Sequence, residues 1–204
     1  NNVTSIGEEA FDNCKSLTSI TIPESVKSIG DFAFENCSSL TSMVVDEDNT
    51  QYDSRENCNA IIEKATNTLI AGCQNTIIPN TVINIGDGAF GGSAFASIVI
   101  PESVIGIGYA AFHNCRSLTS VTIGNSVTSI EGYAFMKCSS LTSVTIGNSV
   151  TSIESSAFED CSSLTSVTIP NSVRSISQSA FRKCALLSTI VVDKNNTKYD
   201  SREE

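Results

Sequence analysis

Tryptophan is absent, histidine occurs once, and aromatic residues make up only 6% of the chain. No C-x-x-C spacing occurs, so the converging ligands of a structural zinc site are missing. The scattered serines have no histidine or lysine partner to activate them, so no catalytic constellation forms and no cofactor is expected. Basic residues are outnumbered 12 to 22, the net charge is −10, and no Lys/Arg cluster exists. A nucleic-acid partner is therefore excluded, because that interface needs a basic footprint. Much of the acidity sits at Asp46, Glu47, Asp48, Asp53, Glu56 and Glu63. It reads as a solvated face that keeps the molecule soluble, with an acidic patch for a basic partner as the alternative. No apolar run approaches the roughly 18 residues that span a bilayer, so direct membrane insertion is not expected. Nothing resembles a signal peptide. Asn1 is not an initiator methionine, and the chain reads as a piece of a longer array.

What is present is repetition. Asn125 to Gly147 reads NSVTSIEGYAFMKCSSLTSVTIG, and Asn148 to Pro170 reads NSVTSIESSAFEDCSSLTSVTIP. A fixed period in the twenties is the mark of one supersecondary unit stacked on itself. An Ala-Phe pair anchors each unit, at Phe11, Phe34, Phe90, Phe112, Phe135, Phe158 and Phe181, with spacings of 23, 56, 22, 23, 23 and 23. The spacing of 22 is a one-residue deletion between Phe90 and Phe95, and Phe95 takes the slot of Leu40 or Leu118. The spacing of 56 marks an insert. The whole chain, 1–204, reads as one solenoid, with an inserted hairpin at 46–79 and the start of a second insert at 193–204.

Within a unit, Leu118-Thr119-Ser120-Val121-Thr122-Ile123 alternates apolar and hydroxylated residues with β-branched enrichment, which predicts a strand. Pro or Gly follows it, at Pro23, Pro101, Gly124, Gly147 and Pro170. Val127 and Ile130, three apart, predict a short second strand or extended turn. Tyr133 to Cys138 predicts one short helical turn that buries Ala134, Phe135 and Cys138. The fold class is thus a repeat solenoid, mainly parallel β, with one short helical turn per 22–23-residue repeat. Stacking layers about 4.8 Å apart would make continuous columns of Phe, Leu, Val and Ile.

These slots resemble the BspA-like class of bacterial leucine-rich repeats, whose unit runs roughly L-x-x-I-x-I-P-x-x-V-x-x-I-x-x-x-A-F-x-x-C. Leu141 to Cys161 and Leu164 to Cys184 follow it slot by slot. The resemblance implies a curved right-handed superhelix, a hairpin-bearing insert between units, and a parent protein at the cell surface or outside the cell.

Six cysteines, Cys14, Cys37, Cys115, Cys138, Cys161 and Cys184, fill one slot three residues after Phe. In-register thiols about 4.8 Å apart with parallel Cβ vectors do not suit a disulfide, so buried free thiols are expected. Cys58 and Cys73 belong to the insert. A turn at Lys64–Asn67 would pair 63 with 68 and 62 with 69, and so on to 58 with 73, which makes a disulfide possible there. His113 shares its slot with Asp12, Glu35, Met136, Glu159 and Arg182, which predicts a variable, solvent-facing position. Gly86 to Gly91 spells G-x-G-x-x-G, but without the long strand and full helix of a dinucleotide site it is a coincidence of the repeat. Asp46 to Thr50 begins like a calcium loop, yet Gln51 and Asn57 stand where Gly and Glu are required, so an Asx-rich turn is the better reading. No metal site is expected.

The outward strand slots carry Ser97, Ser120, Thr122, Ser143, Thr145, Ser166 and Thr168. By resemblance this is the concave face used for binding. Members of the class are associated with adhesion to host extracellular-matrix proteins and with co-aggregation, so a matrix or cell-surface protein is the implied partner. The insert is the other candidate surface. A passive spacer is the competing reading, because the two central repeats are nearly identical. Ice binding through hydroxyl ladders is disfavoured, because only three adjacent layers carry the full Ser/Thr pair.

Overall fold

The computed structural model describes residues 2–200. Each repeat makes one layer of a β-solenoid. The L-x-x-V-x-I segments form Ser19–Ile22 and Ser42–Val45, then Ser97–Val99, Ser120–Thr122, Ser143–Thr145, Ser166–Ile169 and Thr189–Val192. The first two strands pair in parallel, and the last five form a second parallel sheet. Pairing is in phase with the repeat: Ser120 faces Ser97 on one side and Ser143 on the other. Alternation therefore drives Val121, Val144 and Val167 inward in every layer while the hydroxylated residues stay outside. Two-residue strands at Ser5–Ile6, Ser28–Ile29, Asn84–Ile85, Gly106–Ile107, Ser129–Ile130, Ser152–Ile153 and Ser175–Ile176 form the opposite wall.

The Ala-Phe segment is a chain of tight turns, where the sequence predicts a helical turn. Every layer but that of Phe181 places two residues in the left-handed region, Gly88 and Gly92 in the Phe90 layer. Glu9, Phe32, Ala110, Tyr133 and Ser156 precede the Phe by two, and Asn13, Asn36, Asn114, Lys137, Asp160 and Lys183 follow it by two, with φ between 52° and 61°. Left-handed residues cannot propagate a right-handed helix, so the segment turns back each time. The turns are pinned from layer to layer. The amides of Phe112 and Phe135 donate to the carbonyls of Ala134 and Ala157 at 2.7 and 2.8 Å.

The phenylalanines stack with ring centroids 5.0 to 5.4 Å apart and planes within 5° of each other. The column breaks once, between Phe34 and Phe90, where the insert wedges in. Ala60–Glu63 and Thr68–Gly72 form an antiparallel hairpin, and its second strand pairs in parallel with Asn84–Ile85. The hairpin is a layer of the core, with Ile61, Ile62 and Leu69 fully buried. Ile61, Ala71 and Cys73 pack toward the first two repeats, and Ala60, Ile62 and Leu69 toward the rest. At its end Gly72 lies flat on Phe90, and its amide donates to the Ala89 carbonyl at 2.8 Å. A Cβ there would meet Phe90 Cε1 at 2.1 Å, so only glycine fits.

Candidate functional site

The outward strip, which the resemblance makes the concave face, follows from strand alternation. Ser97, Ser120, Thr122, Ser143, Thr145, Ser166 and Thr168 are all exposed and stand in register across the sheet. Their hydroxyls make no hydrogen bond to protein atoms among the described residues. The neighbouring threonines differ: Thr119 and Thr142 donate to the carbonyls of Ala96 and Thr119, both at 3.0 Å. The wall therefore has a bonded ladder beside an unbonded one, and the unbonded hydroxyls are free to meet a ligand or water. The strip ends in an apolar step. Val99 is 79% exposed, and Ile77, from the insert's exit segment, is 78% exposed. A cleft of about 400 Å³ lies between them, lined also by Ile78, Asn80, Ser97 and Pro101. Ser97–Val99 is the edge of its sheet, because the insert displaces the strand that would have continued it.

Among the described residues every cysteine is a free thiol. The repeat cysteines brace the layers: Cys115, Cys138 and Cys161 donate to the carbonyls of Phe90, Phe112 and Phe135 at 3.1 to 3.2 Å. Burial raises the Cys161 thiol pKa above its ordinary value and pushes Cys37 up to about 11. The terminal members of the column are less covered, Cys14 being exposed. Cys58 and Cys73, the pair for which the hairpin made a disulfide possible, are both buried free thiols in this structure. The predicted pairs 63 with 68 and 62 with 69 form, but a bulge then shifts the register, and Ile61 faces Ala71. One extra residue turns the rest of the strand over. Cys58 thus packs toward the later repeats and Cys73 toward the first two, where it donates to the Asn59 carbonyl at 3.3 Å.

The model of the BspA type leucine rich repeat region matches six copies over residues 1–63 and 69–188. The chain belongs to this BspA-type family. No curated protein matches it. Among solved structures, a leucine rich cell surface protein from Faecalibacterium prausnitzii A2-165 is 33% identical, with a TM-score of 0.83, over 99% of this chain and 55% of that one. The T. pallidum leucine rich repeat protein is 27% identical, with a TM-score of 0.56, over 91% and 72%. The pneumococcal vaccine antigen PcpA, at 21% identity and a TM-score of 0.70 over 96% and 44%, shares the fold. The chain spans about half the length of the Faecalibacterium and pneumococcal proteins.

The residues skipped by the BspA-type match, 64–68, are the hairpin turn and the first residue of its second strand. The insert also terminates a ladder. Tyr52 Oη accepts the Ile29 amide at 3.0 Å, and Asn49 Nδ2 donates to the carbonyls of Pro23 and Val26 at 2.8 and 3.1 Å. In the second copy, Tyr199 Oη accepts the Ile176 amide at 3.2 Å and Asn196 makes the same two bonds to Pro170 and Val173. The shared V-V-D-x-x-N-T-x-Y phrase therefore caps a strand edge. Asn49 Oδ1 takes the amides of Gln51 and Tyr52, both at 2.9 Å, as an Asx-rich turn does.

His113 is not the free surface residue that its slot predicts. Its Nδ1 lies 2.9 Å from Glu35 Oε1, 78 residues away and two layers down. The intervening layer carries Gly91 in that slot, and a Cβ there would meet Glu35 Cγ at 2.7 Å. Asn114 likewise reaches Asn36 at 2.8 Å past Gly92. One signal could have exposed this bridge: glycines fill three turn slots, at Gly88, Gly91 and Gly92, in one repeat only.

Proposed function

We propose that this segment is a non-enzymatic protein-binding module of a bacterial surface or secreted protein. In this reading it adheres to host matrix proteins or to other cells through the concave strip. The carrying observation is the row of unbonded hydroxyls ending at the exposed Ile77 and Val99. Hydroxyls in register offer one weak contact per layer, which sums along an array, and the apolar step supplies the anchor that a small-residue strip lacks. The family and the Faecalibacterium cell surface protein support the surface setting. The acidic loop at Asp46–Asp48 of the insert is exposed as well.

A spacer role is the second reading, favoured by the near-identity of Asn125–Gly147 and Asn148–Pro170. Immobilised matrix proteins and glycans distinguish the two. The module should bind at least one of them, and a variant with Ser120, Ser143 and Ser166 changed to Lys should lose that binding. Binding kept by the variant moves the site off the strip, and no binding to any panel member favours the spacer.

A further inference from the structure

The repeat accounts for most of the aromatic residues. Seven phenylalanines make the column, Phe95 fills a leucine slot, and Tyr52 and Tyr199 cap edges. Three remain: Phe32, Tyr109 and Tyr133. All three line one groove of about 310 Å³ on the turn edge, together with Glu8, Glu9, Glu35, Ala110 and His113.

The groove exists because the turn of the Phe90 repeat lacks side chains. The Phe32 ring lies over Gly88, where a Cβ would meet Phe32 Cδ1 at 2.2 Å. Laid across that layer, Phe32 meets Tyr109 edge-on, with centroids 6.4 Å apart at 90°, and Tyr109 meets Tyr133 at 5.2 Å and 60°. Phe32 and Tyr133 occupy the same positive-φ turn slot that Glu9, Ala110 and Ser156 fill in other layers, so the repeat's own turn brings both rings to this edge. Tyr109 is 47% exposed, so this aromatic surface is open to solvent.

Carboxylates outnumber basic groups around the groove, three to one. Glu8 and Glu9 are exposed, and neither makes an ion pair among the described residues. Glu35 is held in place by His113, the one basic side chain in the lining. Lys15, Arg116 and Lys137 line a separate trough beyond His113. Ring faces and carboxylates together attract one kind of group, a cation whose flat or methylene surface can lie on an aromatic ring. We propose that this groove is a second binding site, which takes an arginine or lysine side chain from an extended segment of a partner protein. Tyr109 and Tyr133 supply the ring surface, Glu8 and Glu9 the charge, and the Glu35–His113 pair the wall. The site lies off the concave strip and does not depend on the function proposed for it.

The test uses a fluorescent peptide of alternating glycine and arginine, with citrulline and glutamate analogues of equal length. The protein should bind the arginine peptide at low salt, weaken as salt rises, and bind both analogues at least tenfold more weakly. Tyr109→Ala, a change at an exposed side chain, and the double change Glu8→Gln with Glu9→Gln should each weaken binding roughly fivefold or more. Circular dichroism should show both variants folded. Amide chemical shifts should move at Gly88, Ala110 and Tyr133, and the variant with Lys at Ser120, Ser143 and Ser166 should bind the peptide unchanged. Equal affinity for citrulline, indifference to Tyr109→Ala in a folded protein, or shifts confined to the concave strip would overturn the proposal.

Discussion

At the scale of single residues, the stack sets the order of importance. Phe135 is fully buried between Phe112 and Phe158. Phe135→Ala leaves a cavity between rigid layers and should cost about 3–5 kcal/mol in urea denaturation. His113→Ala should cost far less, about 0.5–1.5 kcal/mol, because it removes one partly exposed hydrogen bond. A residue in an unfavourable backbone region offers the opposite change. Lys137 holds φ at 61°, in a slot that is Asn13, Asn36 and Asn114 elsewhere. Asparagine tolerates that region better, so Lys137→Asn should raise the thermal midpoint and add up to about 1 kcal/mol. The Asn36–Asn114 bridge lies beyond the reach of neighbour-by-neighbour reading, because it skips a layer. Its only trace in the chain is the missing side chain at Gly92.

At the scale of elements, the insert both stops one ladder and starts another. Tyr52→Phe keeps the ring but leaves the Ile29 amide without its acceptor. It should cost about 1–3 kcal/mol and speed hydrogen exchange at Ile29 more than at Ile130. Gly72→Ala tests the wedge. The added methyl has nowhere to go except into Phe90, so the loss should be about 1–3 kcal/mol or more, read from the denaturation midpoint. The hairpin turn and its first pairs were legible in the sequence. The bulge was not, because nothing in Ile61-Ile62 or Leu69-Ile70-Ala71 marks which residue is extra. Packing two different repeats on the two faces decides it.

At the scale of the whole molecule, the thiols act as a group. Burial raises the pKa values of Cys37, Cys58, Cys73, Cys138, Cys161 and Cys184 above their ordinary value. Unfolded thiols ionise near pH ~8.5, whereas the folded ones hold their protons. The stability linked to those protons is complete below that pH and is lost as pH rises toward the folded values. Urea midpoints should therefore hold steady up to about pH 8 and fall progressively above it. Replacing the repeat cysteines by serine should remove most of that alkaline slope. Acid acts through a different group. The Arg182 guanidinium and the Ser156 hydroxyl hold the Glu159 carboxylate below its usual range. Its contribution is present above the unfolded carboxylate value and fades as pH drops below it.

The sequence by itself determined the layers, their register and the strip. Each depends on a contact between a residue and its own counterpart one repeat away, and a period displays such contacts directly. Val121 on Val144 and Phe112 on Phe135 could be read without coordinates. Tertiary structure alone decided whatever breaks the period. The hairpin's two buried faces set its bulge and sent Cys58 and Cys73 into different halves of the core. The bare turn of the Phe90 repeat let Phe32, Glu35 and Asn36 cross to Tyr109, His113 and Asn114. Those contacts span an intervening layer, which a comparison of neighbouring repeats does not display, so their geometry arises only when the layers are stacked.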